Sequence, residues 1–291
     1  MGHAEWPISE PGKMTELGGP PRGVAQLPPL LLVGGGRMGS ALLSGWRDRG
    51  LSQVIVIDPS TEALNLAAPG IDVFVLPHDI PAGFTPEAVI FAVKPQSALS
   101  VLPAYARFAG RAVFISIMAG KTVHAIGQML GVKAAIIRAM PNTPAAVRQG
   151  ITVAVAGCHV SESQHLLADS LLAATGQIAW VGDESLLDPV TAISGGGPAY
   201  VFLLAELLEK AGLEQGLPAD LARDLARQTI IGSGALLAAS TEDAANLRIA
   251  VTSPNGTTER ALAVLRADDA WPKLISQAID AATKRSQELH D

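Results

Sequence analysis

One stretch late in the chain, "VTSPNGTTERAL" (residues 251–262), places hydroxyl side chains and a turn directly before a helical pattern. A helix N-terminus offers free backbone N–H groups and the positive end of a dipole, and so binds an anion without a basic side chain. Gly256 lets the backbone approach a ligand closely. We therefore predict a carboxylate site at the amides of Gly256, Thr257 and Thr258. The alternative is that Ser253 and the two threonines only cap the helix.

A second stretch, "VGGGRMGSALLSGW", follows an apolar strand-like run and opens a helix. Gly34, Gly36 and Gly39 occupy the three glycine positions of G-x-G-x-x-G, and Arg37 and Met38 lie between the last two. In this context the glycines allow a tight turn, close approach to a pyrophosphate and close packing of helix on strand. The pattern predicts a dinucleotide site, with a tight turn that binds no ligand as the alternative.

The end of the second predicted strand bears on the choice of cofactor. Asp58 lies 24 positions after Gly34, where a carboxylate usually binds the adenine ribose and repels a 2′-phosphate, which favours NADH. Ser60 and Thr61 are possible phosphate donors, however, and Asp58-Pro59 is also a common turn start. The sequence therefore leaves NADPH or NADH open as the cofactor.

Two more segments follow predicted strands, at the edge where open α/β sheets bind ligands. "AVKPQ" contributes Ala92, Val93, Lys94 and Pro95, and "IMAGKT" contributes Ala119 and Gly120. We predict that these residues contact the cofactor. A solvated loop charge is the alternative for Lys94.

The elements that position these residues alternate between apolar runs and amphipathic segments up to about residue 181. Short continuous apolar runs rich in β-branched residues are typical of a parallel sheet covered on both faces, and their alternation with helices predicts a doubly wound α/β fold. Gly50 is the expected stop of the first helix, and Ser161 or Ser163 the expected N-cap of a later one. The predicted strands are 30–33, 54–57, 73–76, 88–93, 112–118 and 134–140, with edge strands in "ITVAVAG" and "QIAWVG".

After Gly182 the strand patterns stop and five segments with helical spacing follow. Their apolar faces exceed what one small bundle needs, which predicts a helical dimer interface. The predicted organisation is a disordered tail over 1–28, an N-terminal Rossmann domain over 29–183, and an all-helical dimerisation and substrate domain over 184–291.

Composition narrows the class of protein. A net charge of -6 and a pI near 5.5, without a basic stripe, argue against a nucleic-acid partner. No apolar signal segment or membrane span is recognised in the sequence. The single cysteine, Cys158, is typical of a reducing, cytoplasmic setting, and we expect it to be a buried side chain. The six histidines show no metal-ligand spacing, so we expect no metal.

Five motifs together resemble the pyrroline-5-carboxylate reductase family over roughly residues 30–285. They are "GGGRMGSAL", "AVKPQ", "RAMPNTPAAVRQGIT", "AISGGGPAYVFLLAELL" and "VTSPNGTTERAL", in the family's order. The resemblance implies reduction of the cyclic imine Δ1-pyrroline-5-carboxylate to L-proline with NADPH or NADH, the last step of proline biosynthesis. It also implies helical domains that interlock in a homodimer, often assembled further into rings.

The resemblance also implies roles for individual residues. Ser253 and Thr258 match the family's substrate-contacting Ser and Thr, and the Thr258 hydroxyl is expected to bind the ring nitrogen and relay a proton. Asn142 in "MPNTP" matches a residue at the nicotinamide end, although it also suits a turn between two prolines. Two positions depart from the family: Asn255 stands where Gly is usual, and Gly196 where Ser is common.

Three other functions remain possible at this point. An imine reductase or a β-hydroxyacid dehydrogenase shares the Rossmann half, but the dehydrogenases rely on a helix lysine, and here only Lys210 lies in that helix, near its far end. A regulator that binds the nucleotide without turnover is the third possibility.

Overall fold

The computed structural model describes residues 26–290. Most of the predicted disordered tail, residues 1–25, lies outside the described residues. Leu27 belongs to the part of the tail that is described, and it is buried and bridges Leu51 in a parallel pair. The packed chain therefore begins no later than Leu27.

An eight-stranded sheet forms the first half of the protein, and all eight predicted strands are confirmed. The strand order is β3-β2-β1-β4-β5-β6-β7-β8, so the order reverses between β1 and β4. Strands β1 to β6 are parallel, and their carboxyl ends lie at one edge. The strands are β1 Leu30–Val33, β2 Val54–Ile57, β3 Ile71–Phe74, β4 Ala88–Phe91, β5 Val113–Ser116, β6 Ile136–Met140, β7 Gly150–Ala156 and β8 Gly176–Trp180.

Strand β7 departs from the predicted parallel arrangement, because it runs antiparallel to β6. The connection between them, residues 141–149, contains only a short 3₁₀ turn, Thr143–Val147. A parallel pair needs a crossover of a dozen or more residues, so this short connection returns the chain in the opposite direction. Strand β8 then pairs parallel with β7 after a helical crossover.

The sheet is covered by helices on both faces. Ser161 is the N-cap of α4, in a capping box with Gln164, which decides between the two predicted caps. Gly50, the predicted stop of the first helix, has φ of +82° just beyond its end. These helices are α1 Arg37–Arg47, α2 Ala98–Val101, α3 Val123–Leu130 and α4 Glu162–Leu172, and 3₁₀ turns including Thr61–Leu66 and Leu102–Phe108 complete the connections.

The second half of the described chain is helical, as predicted. Large apolar side chains in this half remain uncovered in one chain; for example, Phe202 is 67% exposed and Ile231 is 62% exposed. The run Glu184–Glu214 is long and apolar enough to cross a membrane by length and composition, although it is hardly buried in the single chain. The helices are α5 Leu187–Val190, α6 Gly197–Glu214, α7 Ala219–Ala239, α8 Ala244–Ala250, α9 Thr257–Leu265 and α10 Ala270–Glu288, with a π-helical turn at Thr191–Gly195.

Cys158 is exposed, so the prediction of a buried thiol is wrong. The apolar run around it suggested a strand interior, but β7 ends at Ala156. Cys158 follows in the turn that leads to α4, where the side chain leaves the sheet.

Tyr105 is a fully buried side chain whose hydroxyl has no hydrogen-bond partner among the described residues. Its ring packs edge-on against Phe91, with the centroids 5.7 Å apart. Burial raises the pKa of the Tyr105 phenol above its ordinary value, and the Arg107 charge opposes this only partly. A buried hydroxyl without a partner carries a desolvation cost and contributes little in return.

We therefore expect Tyr105→Phe to stabilise the protein by about 1 kcal/mol near neutral pH. Because the phenol pKa is raised in the folded state, the unfolded chain loses its proton first, and stability falls as the pH rises above about 10. The variant should lose less stability than the wild type between pH 9 and 11. Urea unfolding at fixed protein concentration measures both effects, and a destabilised variant would contradict the assignment.

Candidate active site

The glycine loop lies between β1 and α1, at the point where the strand order reverses. The Gly34 amide donates to the Ile57 carbonyl at 2.9 Å, and Gly34 has φ of +103°. A Cβ added to Gly34 would come within 2.5 Å of the Ala92 carbonyl oxygen, and one added to Gly39 within 2.1 Å of the Gly34 oxygen. Both positions therefore require glycine for close packing.

Gly36, the middle glycine of the motif, faces open space. It is the N-cap of α1, no side chain caps the helix, and an added Cβ would meet no atom within 4 Å. The first turn of α1 contains no acidic residue. An uncapped helix N-terminus beside an open glycine suits a pyrophosphate, so the residues present fit a dinucleotide.

Asp58 organises the glycine loop in this structure. Its Oδ2 atom accepts from the Gly35 amide at 2.6 Å, and its Oδ1 atom accepts from the Ser60 amide at 2.8 Å. Ser60 in turn caps the 3₁₀ turn Thr61–Leu66. The carboxylate thus joins the end of β2 to the loop after β1, and it also forms the predicted turn.

The other predicted cofactor residues follow neighbouring strands at this same edge. Ala92 touches the glycine loop, and Lys94 is exposed at the start of a 3₁₀ turn. Gly120, with φ of +73°, lies after β5. Asn142 follows β6 and is buried, and its Oδ1 atom accepts from the Ile151 amide at 2.9 Å. The structure therefore gives Asn142 the predicted turn-holding bond.

The segment before α9 presents an uncapped helix N-terminus. Gly256 is the N-cap, and no side chain caps the helix, so the capping alternative from the sequence is wrong. A Cβ on Gly256 would lie 2.5 Å from the Ser253 hydroxyl oxygen, which places that hydroxyl at the helix start. The Gly256 amide already donates to the Ser253 carbonyl at 3.0 Å. The amides of Thr257 and Thr258 are therefore the better placed for an anion.

Asn255 adopts the left-handed conformation, with φ of +60°. The backbone N–H of Asn255 donates to the Glu259 carboxylate at 2.6 Å. Asn tolerates this conformation better than most residues, so the loop keeps its turn without the usual glycine.

The structure does not bring the two predicted parts of the site together within one chain. Ser253, Thr257 and Thr258 are exposed. Among the described residues, the hydrogen bonds of residues 251–258 stay within that segment or its adjacent helices. A single chain therefore presents the substrate segment and the cofactor edge as separate surfaces.

A buried arginine on β6 forms an ion pair with a partly exposed glutamate, and this pair was not predicted from the sequence. Arg138 on β6 is 1% exposed and donates to Glu184 at 3.0 Å, and the same carboxylate oxygen accepts from the Val123 amide. The signal was present, because an arginine inside the apolar run "AAIIRAM" needs a partner when the strand is buried.

A second arginine, Arg148, adopts the left-handed backbone conformation and joins two distant segments. Arg148 has φ of +61°, and its guanidinium donates to Asp48 at 2.6 Å and to Ser44 at 2.8 Å. It thus fastens the loop that carries Asn142 to the end of α1. No feature of the sequence pattern indicated this contact.

Gly196, the other departure from the family pattern, makes room for a tyrosine. A Cβ at this position would lie 2.7 Å from the Tyr200 hydroxyl. That hydroxyl donates to the Ala192 carbonyl at 3.0 Å. In this chain Gly196 therefore permits the hydrogen bond from Tyr200 in α6 to Ala192 in the π-helical turn.

A Rossmann sheet with an open glycine loop, joined to a helical domain with uncovered apolar faces, is typical of nicotinamide-dependent oxidoreductases that assemble through their helices. Two family models match the chain: pyrroline-5-carboxylate reductase dimerisation over residues 184–289, and NADP oxidoreductase, coenzyme F420-dependent, over residues 30–120. The pyrroline-5-carboxylate reductase of Pseudomonas aeruginosa is 37% identical over 265 residues, covering 90% of this chain and 97% of that protein.

Solved structures agree with these matches. A pyrroline-5-carboxylate reductase from Coxiella burnetii superposes with a TM-score of 0.84 at 31% identity, covering 91% of this chain and all of that one. The Plasmodium falciparum enzyme with NADP bound gives a TM-score of 0.79 at 27% identity, over 92% of this chain and all of that one. The chain belongs to the pyrroline-5-carboxylate reductase family of NAD(P)H-dependent oxidoreductases. Its helical domain is a dimerisation domain, which accounts for the uncovered faces of α6 and α7.

Proposed function

We propose that the chain reduces Δ1-pyrroline-5-carboxylate to L-proline, consuming one NAD(P)H and one proton. The observation that carries this proposal is the uncapped N-terminus of α9 with the Ser253 hydroxyl beside it. This arrangement suits a small anionic substrate, because backbone amides and the helix dipole hold a carboxylate without an arginine.

The backbone amides of Thr257 and Thr258 hold the substrate carboxylate, and the Ser253 hydroxyl binds the substrate beside these amides. The Gly256 amide shapes the turn through its bond to Ser253. Gly256 itself is required because a side chain there would collide with the Ser253 hydroxyl. The carboxylate is thereby fixed before the reaction begins, which contributes orientation to the rate.

The Thr258 hydroxyl makes no hydrogen bond to another described residue. We assign it to the ring nitrogen of the substrate, which it orients and supplies with a proton by relay from solvent. When bound, the nicotinamide supplies the hydride for the imine carbon. The chain's own part is to hold that carbon at the nicotinamide face.

The cofactor is held at the edge of the sheet where the carboxyl ends of strands β1 to β6 lie. Gly34, Gly36 and Gly39 shape the loop, and the first turn of α1, with Arg37 and Met38, receives the pyrophosphate. The segments 92–95 and 119–120 border the cofactor, and Asn142 bounds the nicotinamide end.

The active site is completed between two copies of the chain. The substrate segment is exposed, and its hydrogen bonds do not reach the cofactor edge within one chain, while the domain that bears it is the one through which the family dimerises. Further assembly into a ring of dimers is part of the proposal. So are a cytoplasmic location and the absence of nucleic-acid and membrane contacts. The apolar run Glu184–Glu214 lies within the matched dimerisation domain, which supports a protein interface over a membrane contact.

The charge at Asp58 favours NADH over NADPH, because both of its oxygens are fixed at the end of β2 where a 2′-phosphate would approach. We expect Asp58→Ser to raise the ratio of kcat/KM for NADPH to that for NADH by about tenfold, or about 1.4 kcal/mol. Steady-state assays with both cofactors measure this ratio. Glu62→Gln removes an equal charge from the adjacent turn and is the control. An unchanged ratio in Asp58→Ser would leave Asp58 as a loop and turn residue only.

The function itself is tested by the loss of nicotinamide absorbance on adding Δ1-pyrroline-5-carboxylate, with NADH and NADPH run in parallel and L-proline quantified as product. Stoichiometric proline formation supports the proposal. Cofactor binding without proline formation would reject it and favour a related imine or a regulatory role.

A further inference from the structure

The C-terminal end of α10 docks on a buried carboxylate in the first helix after the sheet. Asp188 in α5 is 2% exposed, and its Oδ1 atom accepts from the Ser286 hydroxyl at 2.7 Å. The His290 Nε2 atom lies 2.9 Å from the same oxygen. Ser286 is itself buried, at 4% exposed. A carboxylate so deeply buried is costly unless it is paired and hydrogen-bonded, so these contacts hold the C-terminus in place.

The three residue types also occur in nucleophilic triads, but this geometry excludes that role. In a triad the histidine lies between the serine and the carboxylate and takes the proton from the hydroxyl. Here the Ser286 hydroxyl and the His290 ring both bond the carboxylate. His290 therefore does not lie between Ser286 and the carboxylate, and we interpret the cluster as an anchor.

The anchor holds Leu289, which directly follows α10, against Gly120 in the loop after β5. A Cβ added to Gly120 would lie 2.7 Å from the Leu289 Cβ and 2.8 Å from its carbonyl oxygen. Leu289 therefore packs directly against the backbone of Gly120, and no room is left for a side chain at position 120. Ala119, the preceding residue, packs against a cluster that contains Leu187 of α5 and Met140 of β6. The anchor, the loop and the strand end that leads to Asn142 are thus one packed unit.

We propose that Asp188 is a positioning residue for the reductase: through Ser286 and His290 it holds the end of α10 on Gly120 and fixes the loop 119–120 at the nicotinamide end. This inference rests on the proposed contact of that loop with the cofactor. Helix α10 has 19 residues, a rod of about 28 Å, and it follows α9 after the short turn Ala267–Asp269. The chain therefore runs from the helix that carries Thr258, through this turn and along α10, to the residues that contact the cofactor loop.

The test compares the full-length variants Asp188→Asn, His290→Ala and Leu289→Gly, the last of which removes the Cβ that lies against Gly120, with Arg285→Gln. Arg285 lies on the same turn but is exposed, where it pairs with Glu288, so it is the matched control. Dissociation constants for NADH and NADPH come from fluorescence titration, which needs no turnover. Light scattering and thermal unfolding report assembly and folding.

We expect the three test variants to weaken cofactor binding by about fivefold or more while remaining dimeric, and Arg285→Gln to stay within about twofold. His290→Asn, which keeps a side-chain donor, should recover much of the affinity. Cofactor affinity within twofold of wild type in both His290→Ala and Leu289→Gly, whose residues are partly exposed, would overturn the proposal even if Asp188→Asn failed to fold.

The same titration separates this inference from the proposed function. A wild-type chain that binds the cofactor but forms no proline would reject the proposed function, and the affinities of the variants would still decide whether Asp188 positions the loop. A wild-type chain with no measurable affinity for either cofactor would overturn both.

Discussion

Replacing Thr258 with alanine should lower kcat for the reduction by about 100-fold, the usual contribution of a positioned proton donor. The Thr258 hydroxyl lies at the start of α9, exposed and without a hydrogen bond to another described residue, so its loss should not disturb the fold. The backbone amide that holds the substrate carboxylate remains. We therefore expect a large fall in kcat with a small change in KM for the imine, and an unchanged dissociation constant for NAD(P)H.

Thr258→Ser is the matched control for this prediction. It keeps the hydroxyl and removes only a methyl group, so it should retain most of the wild-type kcat. Single-turnover kinetics of the two variants separate the chemical step from product release. If Thr258→Ala turned over at the wild-type rate, the hydroxyl would have no part in proton transfer, and α9 would act through its backbone amides alone.

Gly36→Ala is expected to weaken cofactor binding by about 30-fold, or about 2 kcal/mol, without loss of stability. Gly36 has φ of -65°, which any residue adopts, and an added Cβ meets no atom of the protein. The methyl group occupies the space through which a pyrophosphate approaches the amides of α1. Fluorescence titration with NADH and NADPH measures the loss, and thermal unfolding of the free protein shows whether the fold is intact.

Gly39→Ala provides the contrast, because its Cβ would lie 2.1 Å from the Gly34 carbonyl oxygen. Relief of that collision requires the loop to move away from α1, at a cost of about 3 kcal/mol in stability. Gly36→Ala should thus lower cofactor affinity without lowering stability, whereas Gly39→Ala should lower the stability of the fold. A Gly36→Ala protein that binds both cofactors as tightly as the wild type would show that the pyrophosphate does not approach this amide.

The sequence patterns that predicted structure correctly are local. Each apolar run became a strand because its neighbours in the chain already specify a buried extended segment. The glycine loop and the left-handed Asn255 were predictable for the same reason, since backbone conformation depends on the residue itself and on those beside it.

Features that depend on partners distant in the chain were beyond such patterns. Asp58 accepts from the Gly35 amide 23 positions away, and this bond was not evident from the turn signal, which indicated only the local bond to Ser60. The exposure of Cys158 depended on where β7 ends, which the continuous apolar run did not mark. Arg138 and Glu184 meet across 46 positions, and neither residue alone indicates the other.

Taken by itself, the sequence determined the order of strands and helices, the glycine loop, the helical second half and the family motifs, because periodicity and backbone preference are properties of short segments. Only the tertiary structure decided that α9 is uncapped, that β7 turns back against β6, and that Asp188 meets Ser286 across 98 positions. These outcomes depend on which surfaces the packed chain brings together. Contacts between distant segments arise from packing, and no short segment encodes them.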